Sequence, residues 1–188
     1  MQVINKQGTV GCKYWEENSV LVQEESIIKA IIEGRRESYV KKSPSYNPYT
    51  KSVLYDWEFK LELDDLIFTD SYRGVNPYSG VEYVYEKGNG IPVWACDYVG
   101  YVNKNSNIST DEIYKFLKEA RGNHLNNCAI NCNNLFTNYI YSNGDFKYET
   151  FFQGDMKSLL QMENIYFKGL LVAQQITAGR LRLQNNII

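Results

Sequence analysis

The sequence predicts an α+β fold, a curved antiparallel sheet with two helices packed on one of its faces. Three observations predict it. Tyrosine is unusually frequent, with 16 Tyr beside 8 Phe and 3 Trp, and aromatic residues favour strands. Apolar and polar residues alternate strictly from Tyr55 to Asp64, which is the period of a half-buried strand. Two other segments carry apolar residues at helical spacing: Ile27, Ile28, Ile31 and Ile32 in one, and Ile113, Phe116, Leu117 and Ala120 in the other.

The elements follow in order. "TVGCKYW" and "SVLVQ" read as two brief strands, joined by a hairpin across Glu16–Ser19. A helix begins near Glu24, with Lys29, Glu33, Arg35 and Arg36 off its apolar stripe. Two prolines make Ser43 to Thr50 a loop. The alternating strand turns Trp57, Phe59 and Leu61 toward the core. "LIFTDSY", "GVEYVYE" and "IPVWACDYVGYV" are three further strands, with "KGNG" as the hairpin turn between the last two. A second helix starts at a Ser109 or Thr110 cap and stops at Gly122. "NHLNNCAINCNN" reads as irregular chain. Strands resume at "LFTNYIY", "FKYETFF", "KSLLQM" and "NIYFKGLLVAQQI", and "NNII" reads as a tail.

Helix followed by strands therefore occurs twice. We read residues 1–188 as a single domain with an internal repeat, 25–102 against 110–182. Aligning 27–36 on 112–121 superposes apolar on apolar and ends both helices on arginine, at Arg36 and Arg121.

The net charge of −2 and the pI near 5.5 give no basic footprint for duplex nucleic acid. The one dense cationic stretch, Lys29 to Lys42, reads as a solvated face. No apolar run approaches the roughly 18 residues of a membrane span, and the first residues lack a signal peptide's apolar segment. The expectation is a cytoplasmic protein without membrane contact, its four cysteines reduced. His124, Cys128 and Cys132 are spaced by four. On a helix the outer two would lie about 12 Å apart, too far to share one zinc, so no metal is expected. The glycines of "RGVNPYSG" match no phosphate loop, and no cofactor is expected.

Further residues carry a resemblance. They are Asp70, Tyr72 and Gly74, then Gly80, Glu82 and Val84, then Pro92, Val93, Trp94, Tyr98 and Gly100, after the helix "AIIEGRRESYV". In these positions the chain resembles an uncharacterised bacterial family, a domain of unknown function. The resemblance is fullest over 25–102 and thinner over 110–182, where no acidic residue stands two after Gly154. It implies a domain that occurs alone or behind helix-turn-helix regulators, and it implies no activity. Met1 to Gln23 is too short for such a regulator.

The candidate site rests on polar groups that interrupt aromatic strands. Asp70, Glu82 and Asp97 stand where an unpaired carboxylate would be costly unless hydrogen-bonded or facing a cleft. Arg73, three residues after Asp70, is a natural partner close in sequence. Tyr83, Tyr85, Trp94, Tyr98 and Tyr101 could stack on a flat ligand. The leading expectation is non-catalytic binding of a small molecule, nucleotide-like in its flat ring, with Asp70, Tyr72, Arg73, Glu82, Tyr83, Trp94, Asp97 and Tyr98 as contacts. One rival is a hydrolase or lyase using Asp70, Glu82 or Asp97 as general acid or base. The other is a sensor or protein-interaction module. The strand Pro92–Val102, apolar on both faces, suits self-association as a homodimer.

Overall fold

The computed structural model describes residues 13–103 and 107–182, with side chains from residue 24 onward. Helix α1 (Lys13–Arg35) runs into a π-helical turn at Arg36–Val40 and is followed by strands β1 (Thr50–Lys51), β2 (Trp57–Glu62), β3 (Leu66–Gly74), β4 (Tyr78–Glu86) and β5 (Pro92–Val102). Helix α2 (Thr110–Ile130) and a short 3-10 turn precede β6 (Tyr139–Asn143), β7 (Phe146–Asp155), β8 (Ser158–Phe167) and β9 (Leu170–Leu181). All nine strands form one antiparallel sheet in the order β1-β2-β3-β4-β5-β9-β8-β7-β6. The architecture is α+β, and among the described residues β1 and β6 are the edges of the sheet.

Several local expectations are corrected. Residues 16–23, read as hairpin and strand, belong to α1. Val20 and Val22 suggested a strand, but valine costs a helix only about 0.5 kcal/mol, and extending an existing helix is far easier than starting one. The start of "TVGCKYW" and the tail "NNII" lie outside the described residues. Gly122 does not end α2. An interior glycine costs about 1 kcal/mol, and the segment beyond it buries His124, Leu125 and Cys128, packing that offsets the loss. The cap is as expected: Ser109 and Glu112 form a reciprocal capping box. "NIYFKGLLVAQQI" is two strands, not one. Lys168 and Gly169 both have positive φ, the conformation of a two-residue hairpin turn.

Both helices cover the same sheet face. Ile27, Ala30 and Ile31 of α1 pack with Phe68, Val84 and Trp94. Ile113, Phe116, Leu117 and Ala120 of α2 pack with Tyr148, Ile165 and Ala173. Inward residues of β2 follow the alternation, although Trp57 is only half-buried. The opposite face carries a row of paired apolar residues, Val99, Ile176, Met162 and Phe151, each exposed between 39% and 52%. Among the described residues no helix is long and apolar enough to cross a membrane.

Candidate functional site

A cavity of about 950 Å³ opens over the helix-bearing face of the sheet. The end of α1, the turn after it and the flank of α2 form its walls, and strands β2 to β5 and β7 to β9 contribute its floor. The two-residue period of each strand decides which side chains reach it. Asp70 and Tyr72 on β3, Glu82 on β4, Tyr98 on β5 and Glu163 on β8 all fall at inward positions.

Two buried carboxylate–guanidinium pairs stand on this floor. Arg35 Nε and Nη2 donate to Glu82 Oε2 at 2.9 and 2.7 Å. Arg121 Nε donates to Glu163 Oε1 at 2.8 Å, and its Nη2 donates to Glu163 Oε2 and, at 2.9 Å, to Gln175 Oε1. The Tyr148 hydroxyl adds a further bond to Glu163. Burial works against the charge on Arg35, but the Glu82 carboxylate together with Cys96 and Glu163 outweighs it, and the guanidinium's pKa is raised. Burial likewise opposes the Glu163 charge, and Arg121 together with the Tyr148 hydroxyl and Arg35 more than reverses it, so that carboxyl lies below its ordinary value. Such fork-shaped, charge-assisted pairs are among the stronger protein hydrogen bonds.

Asp70 differs. It is 5% exposed and lies directly across the strand pair from Glu82, a like-charge juxtaposition that destabilises a sheet. Its oxygens accept from two tyrosines, Tyr49 Oη at 2.5 Å and Tyr98 Oη at 2.7 Å. Burial, then the neighbouring Glu82 charge, pushes its pKa up to about 7 against the pull of both hydroxyls and Arg35. No cationic nitrogen among the described residues lies within ion-pair distance of it.

Two glycines let these tyrosines reach. Gly80 is paired with Tyr98 and Gly100 with Tyr78. A Cβ on Gly80 would lie 2.4 Å from the Tyr98 hydroxyl, and one on Gly100 would lie 2.4 Å from the Tyr78 ring. Each tyrosine crosses the bare glycine opposite it. Tyr98 thereby reaches Asp70, and Tyr78 reaches Gln175 Oε1 at 2.9 Å. The spacings Gly80-x-Glu82 and Tyr98-x-Gly100 thus have one physical cause.

Of the residues expected at a site, Asp70, Tyr72, Glu82 and Tyr98 line the cavity together. The other four do not. Arg73, Tyr83 and Asp97 occupy outward positions of their strands. Arg73 donates to the Leu54 carbonyl at 3.0 Å and stacks on Tyr55, Tyr83 packs on Tyr85, and Asp97 is exposed. Trp94 is wholly buried in the core. The arginine expected to brace the carboxylates is therefore Arg35, not Arg73. The sequence reading sets Arg35 off the helical stripe, yet it follows Ile27 and Ile31 at four-residue steps and faces inward. A cation in phase with an apolar stripe was the available signal, and Arg121 repeats it after Ile113 and Leu117. Tyr39, Lys42, Tyr49 and Glu163 also line the cavity and had not been singled out.

His124 stacks on Tyr139 with ring centroids 4.7 Å apart, and burial lowers its pKa. Burial raises the Cys128 thiol to about 11. Both are packing groups of α2. Among the described residues no set of three or more His, Cys, Asp or Glu is placed to hold a metal ion.

A family model matches residues 70–181, more than half of the chain, and its description is a domain of unknown function, DUF5680. The match takes in the second half, where the resemblance read from the sequence was thinner. No curated protein and no solved structure matches the chain.

Proposed function

We propose that this chain, which belongs to the DUF5680 family, binds a small organic molecule in the cavity over its sheet and does not transform it. The observation that carries the reading is the convergence of buried polar groups on one space of about 950 Å³, a volume that suits a drug-sized ligand. Tyr39 lines that cavity, and its hydroxyl is buried with no hydrogen-bond partner among the described residues. A buried hydroxyl without a partner costs about 1–3 kcal/mol, so a ligand that bonds to it recovers that loss. Three carboxylates on the floor argue against a phosphate there, while the tyrosine walls suit a flat or apolar body.

Asp70 also favours a second reading. A carboxyl of pKa about 7 in a cavity is matched to acid–base work near neutrality. Both of its oxygens are engaged by tyrosine hydroxyls, which supports holding over proton transfer. A melting-temperature screen of small metabolites tests the binding reading. The expected result is a stabilising compound whose affinity falls about three- to tenfold in Tyr39→Phe, with the unliganded stability raised because the unpartnered hydroxyl is gone. If no compound stabilises the wild type, the reading fails.

The same observations support a chain made of two related helix-plus-strands units, 25–102 and 110–182. An offset of 86 residues superposes Ile27, Ala30, Ile31 and Arg35 on Ile113, Phe116, Leu117 and Arg121, all facing inward. Arg35, not Arg36, is the counterpart of Arg121. Glu82 between Asp70 and Cys96 then matches Glu163 between Thr150 and Gln175. The central strands agree: Tyr98 faces Thr177, with Cys96–Gly179 on one side and Gly100–Gln175 on the other. Gly154 matches Gly74 rather than Gly80, since each has positive φ at the end of its strand, and Glu163 is the second carboxylate. The open face with Val99 and Ile176 is the surface on which a homodimer would form, and sedimentation equilibrium reads that directly.

A further inference from the structure

We infer that the cavity's mouth holds an aromatic cage for an organic ammonium ion, and that the protein's own Lys42 occupies it in this structure. The inference rests on the reading of the cavity as a ligand site. Lys42 Nζ lies 5.2 Å from the ring centroid of Tyr49, 5.5 Å from Trp57 and 5.4 Å from Tyr72. All four residues line the cavity. Tyr49 and Trp57 bring their rings within about 6 Å of the cation, the range of cation–π attraction by which proteins recognise quaternary ammonium groups, while Tyr72 closes the site with its hydroxyl, which accepts from Nζ at 2.8 Å. The cage is built by register. Trp57 and Tyr72 are direct cross-strand partners, and the Tyr49 ring meets Tyr72 edge-on at 5.2 Å.

The charge beneath the cage points the same way. Glu82 and Glu163 are matched by Arg35 and Arg121. Among the described residues Asp70 has no such partner, and Tyr49, which walls the cage, donates to it. A cation in the cage therefore sits one tyrosine away from the unbalanced carboxylate.

Lys42 fits this place imperfectly. Its ammonium carries three donors, and among the described residues it makes one hydrogen bond, to Tyr72 Oη at 2.8 Å. A primary ammonium is strongly hydrated, so its partial burial disfavours the charged form, and its pKa is lowered. A quaternary or tertiary ammonium needs few donors and sheds little hydration. Such a ligand displaces Lys42 from the rings, sets its charge toward Asp70 and extends its apolar body into the cavity. Lys42 is then a resident competitor whose withdrawal accompanies binding.

The test compares choline with its uncharged carbon isostere, 3,3-dimethylbutan-1-ol, by calorimetric titration of the intact protein. Lys42→Ala empties the cage, and Lys42→Gln removes the charge while keeping most of the length. The expected result is choline binding about tenfold tighter to either variant than to wild type, and about tenfold tighter than the isostere. Adding Trp57→Leu to Lys42→Ala should abolish the preference for choline, with the fold checked by melting. Absence of saturable choline binding to both Lys42 variants overturns the inference. Equal binding of choline and its isostere also overturns it, yet leaves the cavity standing as a small-molecule site.

Discussion

Two buried clusters face one cavity, and they differ chiefly in the residue opposite the glutamate. In one, Arg121 pairs with Glu163, and the strand partner of Glu163 is Thr150, a neutral residue. In the other, Arg35 pairs with Glu82, and the strand partner of Glu82 is Asp70. The first cluster balances its charge internally, and its carboxyl is held below the ordinary range. The second carries a carboxylate too many, and that group is pushed up to about 7. One scaffold thus presents a closed, structural cluster and an open one whose charge calls for an external partner. The aromatic cage lies on the side of the open one.

Removing an arginine is the harshest way to break the comparison. Arg121→Met leaves Glu163 buried without its counter-charge, and the expected cost is about 3–5 kcal/mol in chemical denaturation. A loss under about 1 kcal/mol would mean that the cluster is not closed.

The two clusters should also answer pH with opposite sign. Asp70 has a folded pKa above its ordinary value of 3.8, so between the two values the folded chain binds the extra proton. Stability therefore falls as pH rises from about 4 through about 7, and levels off above. Glu163 has a folded pKa below its ordinary value. Its contribution is present above that value and is lost as pH falls through the folded pKa. Asp70→Asn should remove a decline of about 2–4 kcal/mol between pH 5 and pH 8. Glu82, Arg35, Tyr49, Tyr98 and Lys42 face Asp70 and remain in that variant. Parallel curves for variant and wild type would place the titration elsewhere.

A smaller effect sharpens the role of the tyrosine that spans toward Asp70. Gly80→Ala puts a methyl group where the Tyr98 hydroxyl lies, and overpacking of this kind costs about 1–3 kcal/mol. The melting curve should drop while that of Asp97→Ala, on the exposed outer face, stays within about 0.5 kcal/mol of wild type. Equal losses in the two would remove the distinction between the faces.

How much of this was legible follows from where each contact lies. The strands, the Ser109 cap and the inward set Asp70, Tyr72, Glu82 and Tyr98 could be read because alternation along a strand is a local property. Arg73 and Asp97 lie away from the cavity for a reason the sequence also contains. They are an odd number of residues out of phase with Asp70 and Tyr98, and nearness in sequence does not make residues share a face. Arg35, Lys42 and Tyr49 meet the floor only through the docking of α1 and its following loop on the sheet, and no local period encodes that docking. Glu163 was hidden by matching Gly154 to Gly80, which drew attention to an absent carboxylate two residues on rather than the one nine residues away.

The most direct test weighs the protein itself. Native mass spectrometry of wild type and Asp70→Asn, purified alike from the same cells, reports what the cavity holds. The account predicts a small-molecule adduct on the wild type, released on denaturation and depleted in Asp70→Asn, although that variant is no less stable at pH 7. Equal retention by both proteins, or no adduct on either, would contradict the assignment of Asp70 and its cavity as the binding site.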